Sequence, residues 1–253
     1  MEKLLIGILS YNRLDFTKKC IESLYKNTNK DDFELVIFDN GSNLDVLHYL
    51  DELHYPNLTI ECGHKNYGVA GGLNHILKHR KPNQHFMKLD NDIVFKPGTN
   101  KNWIKEINKI FNTPIVVHTG LGEAKIGCIC VKPYTWDEEK QIETNLVQEY
   151  PEQQIGPWKF QYNPEGVLGC STVFKSEIFN FFKGFDESFI YGYEESLLHC
   201  LMLKNNYVSF FNNEIARVYH IDPGIPDEYL NWKHQQARDN FQLYLKKYTE
   251  LTK

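Results

Sequence analysis

Residues 85–98 read His85-Phe86-Met87-Lys88-Leu89-Asp90-Asn91-Asp92-Ile93-Val94-Phe95-Lys96-Pro97-Gly98. The run 85–89 has the length and apolar content of a short strand, and the acidic tripeptide closes it where a turn begins. Two carboxylates at i and i+2 can hold a hard divalent cation against a diphosphate. Mg²⁺ is usually bound this way, by one or two carboxylates with phosphate oxygens and water. Taken alone, the tripeptide reads more readily as a solvated loop with Asx-turn chemistry. Its surroundings reverse that reading.

Upstream of it, strand and helix signals alternate. Residues 4–9 are apolar and bounded by turn residues, as in a buried parallel strand. Residues 14–27 place Phe16, Cys20, Ile21, Leu24 and Tyr25 at helical spacing. A second strand, 33–38, ends at Asp39-Asn40-Gly41-Ser42, a strong turn signal. A short helix is expected over 46–53, a strand over 58–62 and a helix over 69–79. This alternation predicts an α/β fold with a mostly parallel, right-handed, Rossmann-like sheet. Ligands of such sheets sit beyond the carboxyl ends of the strands. Four polar clusters fall there: Ser10-Tyr11-Asn12-Arg13, Asp39-Asn40, Lys65-Asn66-Tyr67-Gly68 and Asp90-Asn91-Asp92. Together they define one face, and that face is the expected site.

The second half is less regular. Helices are expected over 103–111, 176–182, 193–205 and 227–248, and strands over 126–131, 167–174, 207–211 and 216–219. Residues 132–166 are polar, with weak periodicity, and read as a functional loop or lid. Pro223-Gly224-Ile225-Pro226 marks a boundary before the closing helix, not a second domain. One domain is expected over 1–253, with a nucleotide-binding half (1–98), an acceptor-side half (99–226) and a C-terminal helix (227–253).

A net charge of -5, with no compensating basic cluster, argues against general nucleic-acid binding. No apolar run approaches the ~18 residues of a membrane span. The run 4–9 is too short for a signal-peptide core and has no cleavage site after it. A cytoplasmic chain without a transmembrane segment is therefore expected. Its six cysteines, Cys20, Cys62, Cys128, Cys130, Cys170 and Cys200, include no second pair at zinc-ligand spacing and read as buried free thiols.

At this point the chain resembles the inverting glycosyltransferases of family 2, which have the GT-A fold. The resemblance covers roughly residues 3–221 and rests on motifs in the right order. They are Ile8-Leu-Ser-Tyr-Asn-Arg13, Val36-Ile-Phe-Asp-Asn-Gly-Ser42, Asn66-Tyr-Gly-Val-Ala-Gly-Gly-Leu-Asn74 and Leu89-Asp-Asn-Asp-Ile93. Further along come Gly169-Cys-Ser-Thr-Val-Phe174, Gly184-Phe-Asp-Glu187, Tyr193-Glu-Glu195 and His220. The stretch 66–74 looks like the rhamnosyltransferase-like branch.

The resemblance implies a UDP- or dTDP-linked sugar donor bound with Mn²⁺ or Mg²⁺. It puts Ser10, Tyr11, Asn12, Arg13, Asp39, Asn66, Gly71, Asn74, Asp90 and Asn91 at the donor. Asp39 can accept from a base N3–H or a ribose hydroxyl, or can make an Asx turn before Gly41. Gly68, Gly71 and Gly72 either allow close backbone approach to a ligand or serve helix–strand packing. Asp92 is expected to contact the metal, with Asp90 at the ribose or a metal-bound water. His220 matches the position of a further metal ligand, and an imidazole there suits Mn²⁺ better than Mg²⁺.

The implied catalytic pair is Glu194-Glu195. An inverting transfer needs one base to take the proton of the acceptor hydroxyl. The family motif is Glu-Asp with the Asp as base, which puts the role on Glu195. The replacement of Asp by Glu leaves open which of the two acts. Asp186 is expected to bind acceptor hydroxyls or cap a turn, and Trp158 to stack under an acceptor sugar or fill the core. The acceptor class implied is a glycan, reached at the cytoplasmic face of a membrane if lipid-linked. Two rivals are a sugar nucleotidyltransferase and a catalytically silent nucleotide-sugar-binding subunit. The first should carry a Gly-rich loop after its first strand, and residues 10–13 have no glycine.

Overall fold

The structure, a computed structural model, describes residues 2–119, 122–137, 142–146, 149–162, 166, 169–212, 214–221 and 227–252. Its first half alternates β1 (Leu4–Ser10), α1 (Leu14–Asn27), β2 (Phe33–Asp39), α2 (Leu44–Asp51), β3 (Leu58–Cys62), α3 (Gly68–Leu77) and β4 (Phe86–Asp90). β1 pairs in parallel with β2 and with β4, and β2 in parallel with β3. Helices cover both faces of these strands, so their side chains are buried on both sides. Leu4, Leu5, Ile6 and Ile8 of β1 and Leu35, Val36, Ile37 and Phe38 of β2 are all in the core.

The chain continues through β5 (Ile93–Phe95), α4 (Trp103–Asn112), β6 (Val116–Thr119), β7 (Gly122–Val131), β8 (Pro133–Asp137) and β9 (Ile142–Asn145). Next come β10 (Glu152–Ile155), β11 (Trp158–Tyr162), β12 (Ser171–Phe174), α5 (Ser176–Phe182) and α6 (Glu194–Lys204). It ends with β13 (Tyr207–Asn212), β14 (Val218–His220) and α7 (Asp227–Thr252). The large sheet runs β10-β11-β13-β7-β12-β4-β1-β2-β3, with β6 also on β7, and a smaller sheet runs β5-β14-β8-β9. β12 is antiparallel to both β4 and β7, so it begins where β4 ends, with Ser171 beside Leu89. The residues just before β12 therefore lie at the carboxyl-end face, where the Cys170 carbonyl accepts from the Asp90 N–H at 2.8 Å.

Two apolar layers sandwich the sheet. On one side Ile21, Leu24, Trp103, Ile107 and Phe111 of α1 and α4 pack on Ile6, Ile8 and Met87. On the other, Ala70, Leu73 and Ile76 of α3 meet Phe86, Phe179 of α5 and Leu198 of α6. Each large apolar side chain buried this way contributes ~1.5–3 kcal/mol. Trp103, fully buried, also satisfies its indole N–H by donating to Thr28 Oγ1 at 2.9 Å.

The expected irregular lid over 132–166 is corrected: its described residues hold β8, β9, β10 and β11. β10 lies at the outer edge of the sheet with Glu152, Gln153 and Gln154 exposed, so it lacks the apolar alternation by which strands are recognised. Ile93–Phe95, which no expected strand covers, forms β5 of the smaller sheet. The boundary at Pro223–Pro226 lies outside the described residues, as do 167 and 168 of the expected strand 167–174. All six cysteines are free, but two are not buried as expected: Cys62, which ends β3 at the other edge of the sheet, is exposed, and Cys200 is half-buried. Among the described residues no helix is long and apolar enough to cross a membrane.

Candidate functional site

Strand register aligns the carboxyl ends: Ser10 lies beside Asp39, Asp39 beside Cys62, and Leu9 beside Asp90. Asp39 is fully buried. Its Oδ2 accepts from the Gly41 N–H at 3.1 Å and the Ser42 N–H at 2.8 Å, the Asx turn read from the sequence. Its Oδ1 is buried without a hydrogen bond, and so is Ser10 Oγ on the neighbouring strand. A buried polar atom left unpaired costs about 1–3 kcal/mol. Two such atoms on register-paired residues mark a place where a ligand can supply the partner.

The loops around this face are tightly specified. Asn12 and Arg13 are successive non-glycine residues in the left-handed region, with φ of 54° and 57°. Such strain gathers at functional sites. It is held by the Asn12 N–H, which donates to Ser42 Oγ at 2.8 Å, and by Asn12 Oδ1, which accepts from the Asn43 N–H at 2.9 Å. Tyr11 is exposed beside them. Asn40 Oδ1 accepts from the Tyr67 N–H, and its amide donates to Asn66 Oδ1 and the Gly68 carbonyl. Asn66 is thereby engaged in shaping the 63–68 loop.

Asn74 is placed differently from its expected role at the nucleotide. Its amide donates to the Phe185 carbonyl and Glu187 Oε1, and its Oδ1 accepts from the Phe185 N–H. It clamps the 184–187 loop onto α3. Gly72 serves packing: a Cβ there would lie 2.3 Å from Leu9 Cδ1, so α3 sits close on β1 at that point. A Cβ at Gly71 would meet only Tyr67 Cβ, at 3.1 Å, at the start of its own helix.

Within the acidic tripeptide each residue has its own partner. Asn91 Nδ2 turns to α1 and donates to Thr17 Oγ1 at 3.0 Å. Asp92 is buried, and its Oδ2 accepts from Arg13 Nη1 at 2.8 Å. The Arg13 guanidinium also lies 4.6 Å over the Phe16 ring. Asp92 Oδ1 has no hydrogen bond and stands 3.6 Å from His220 Nε2. Antiparallel pairing of β5 with β14 sets Ile93 beside His220, and the Ile221 N–H donates to the Asp92 carbonyl at 2.9 Å. One oxygen and one imidazole nitrogen are a donor set acceptable to Mn²⁺. Among the described residues no three His, Cys, Asp or Glu side chains converge as a metal site. A divalent ion fits here only if phosphate oxygens and water complete its coordination.

The glutamate pair opens α6 behind Gly192 and Tyr193, both left-handed, with φ of 79° and 71°. α7 braces this turn. Tyr193 packs on Tyr244 and Phe241, and Asn240 Nδ2 donates to the Tyr191 carbonyl at 2.7 Å. Glu194 is buried with Oε2 unpartnered. Burial, then the charge of Glu195, push its carboxyl up to about 7 against the opposing pull of Lys88. The Glu195 side chain keeps 25% exposure and meets the Lys88 ammonium.

Lys88 is the site residue that sequence reading missed. It is buried on β4 with Nζ 3.1 Å from Asp90 Oδ1. Burial disfavours its charge, but Asp90, Glu195 and Glu194 outweigh that and hold its pKa well above the usual lysine range. The signal was a lone charge inside an apolar strand, two residues before Asp90 and hence on the same face. Asp90 is thus paired with Lys88, apart from the Asp92–His220 contact.

Asp186 accepts from the Ser188 N–H and hydroxyl and pairs with Lys247 of α7, which hold its carboxyl below the usual range despite burial. With Asn74, Glu194 and Leu197 it lines a cavity of about 370 Å³. Trp158 starts β11, half-buried against the core and separated from β4 by β13, β7 and β12. The structure does not bring it to the acidic residues.

Residues 5–121 match the family model Glycosyl transferase family 2. No curated protein sequence matches the chain. Among solved structures, the fold is similar to that of the mannosyltransferase PcManGT from Pyrobaculum calidifontis, solved with GDP-Man and Mn²⁺. The TM-score is 0.62 at 15% identity, over 91% of this chain and 59% of that one. It is also similar to TarS from S. aureus in complex with UDP-GlcNAc, with a TM-score of 0.64 at 15% identity, over 89% of this chain and 60% of that one. The chain therefore spans about 60% of the length of these structures. It carries a family 2 glycosyltransferase match over residues 5–121 on a GT-A fold.

Proposed function

We propose that this glycosyltransferase fold performs a metal-dependent, inverting transfer of a sugar from a UDP- or dTDP-linked donor to a hydroxyl of a glycan acceptor. The observation that carries the reading is the pair of buried, unpartnered carboxylate oxygens, Asp39 Oδ1 and Asp92 Oδ1, on one carboxyl-end face. The first would accept the N3–H of a uracil or thymine, with Ser10 beside Asp39 in the strand register. The second, with His220, would hold Mn²⁺ or Mg²⁺. A divalent ion bound there supplies Lewis-acid stabilisation of the departing diphosphate.

The remaining steps belong to the chain's own side chains. Arg13 fixes the orientation of the Asp92 carboxylate by taking its other oxygen. Glu195 acts as the base, because its carboxylate is partly exposed whereas Glu194 is buried. It takes the proton of the acceptor hydroxyl as that oxygen bonds to the anomeric carbon. The bond from that carbon to the diphosphate breaks, and configuration inverts. The mannosyltransferase and TarS neighbours, with GDP-Man and UDP-GlcNAc bound, support a nucleotide-sugar donor.

A thermal-shift panel of UDP-, dTDP- and GDP-sugars, each with and without Mn²⁺, tests this. A ligand at a hundred times its Kd stabilises by about 2.7 kcal/mol, or roughly 5–11 °C for a chain of this size. A Mn²⁺-dependent shift with one nucleotide family is expected. No shift with any nucleotide sugar would remove the donor site.

A further inference from the structure

We propose that Lys88 is a positioning residue for the transfer, fixing the Glu195 carboxylate by bridging it to Asp90 from within β4. This rests on Glu195 acting as the base.

The argument starts from where the lysine lies. Its side chain is 7% exposed. Its register neighbours are Gly7 on β1 and Thr172 on β12, and two residues earlier on its own face is the buried Phe86. A methionine in that slot would pack among the same neighbours without removing a charge from water. Buried ion pairs often contribute nothing net to stability relative to apolar residues of similar volume, so stability alone does not account for the lysine.

Geometry accounts for it. The ammonium is held 3.1 Å from Asp90 Oδ1 at the end of the strand and meets Glu195 Oε1 at the start of α6. Gly169, just before β12, supplies the other side of the cradle. A Cβ there would fall 1.8 Å from Glu195 Oε1, so the carboxylate occupies the space that glycine leaves. A glutamate side chain has three torsions, and a base displaced by one ångström loses much of its effect. Lys88 and Gly169 remove that freedom from two directions.

The test measures nucleoside-diphosphate release from UDP-, dTDP- and GDP-sugars with Mn²⁺, separating kcat from the donor KM. Lys88→Met is expected to lower kcat by about a hundredfold, with donor KM changed by less than about threefold. The double variant Lys88→Met/Glu195→Gln is expected to be no slower than Glu195→Gln alone, to within about twofold, because both changes remove one function. Gly169→Ala displaces the same carboxylate with Lys88 intact and gives the same kcat loss, which keeps the proposal testable should Lys88→Met fail to fold.

Losses that multiply in the double variant, or a raised donor KM with kcat intact, overturn the positioning role while leaving the transferase reading in place. A wild-type chain that binds no nucleotide sugar and releases no nucleotide overturns both.

Discussion

Asp92 Oδ1 stands 3.6 Å from His220 Nε2, buried and without a hydrogen bond, while Arg13 takes the opposite oxygen of the same carboxylate. Sequence positions far apart are joined here by the pairing of β5 with β14. Arg13 leaves the other oxygen of Asp92 facing the imidazole, the pair that the proposed function assigns to a divalent cation.

Asp92→Asn is therefore expected to abolish the Mn²⁺-dependent part of nucleotide-sugar binding. His220→Ala is expected to weaken it by at least about tenfold, or ~1.4 kcal/mol. Calorimetric titration with and without Mn²⁺ reads this. Equal Mn²⁺ dependence in wild type and both variants would move the metal elsewhere.

Asp39 gives a separate test at the base. Asp39→Asn keeps an acceptor for the Gly41 and Ser42 N–H groups but can place an amide N–H where a ligand donor would come. Nucleotide affinity is expected to fall by about ten- to a hundredfold, matching the ~1–3 kcal/mol of an unpaired buried group. The melting temperature without ligand should move little. Unchanged affinity in the variant would assign Asp39 to the turn alone.

Glu194 ties stability to pH. Its carboxyl rises from 4.5 to about 7 in the folded chain, chiefly through burial and then through the charge of Glu195. The folded state therefore holds this proton more tightly than the unfolded state. The stabilisation is complete at low pH and is lost as pH climbs from about 4.5 through about 7. Glu194→Gln should flatten that part of the melting-temperature profile. Above pH 7 it should exceed wild type by on the order of 2 kcal/mol, several degrees for a chain of this size. A variant profile parallel to wild type would show that Glu194 does not titrate in this range.

The brace from α7 predicts a split between binding and turnover. Tyr193→Gly keeps the left-handed backbone and removes the ring contacts with Phe241 and Tyr244. Donor affinity should hold while turnover drops about tenfold, since the base loses its lateral support. Loss of donor affinity in step with turnover would point to a general loosening of the fold.

Much of this was legible in the sequence because β1 and β2 are buried on both faces, leaving unbroken apolar runs with polar clusters at their ends. The same cue fails at β10, whose Glu152, Gln153 and Gln154 are exposed at a sheet edge. Within the site, residue type showed which side chains could do chemistry but not which way they turn. Asn66 and Asn74 have amides suited to a ligand, yet both are engaged by nearby loops. Lys88 stands out in its strand as a lone charge, but its partner Glu195 lies on a distant helix and only the tertiary fold joins them.

The most direct measurement is the rate of nucleoside-diphosphate release from UDP-, dTDP- and GDP-sugars by wild type and by Glu195→Gln, with Mn²⁺ present. Wild type should turn over at least one donor, and the variant should bind that donor equally well and release nucleotide about a hundredfold or more slowly. Equal rates in the two proteins, or no release from any donor by wild type, would contradict a transferase with Glu195 as its base.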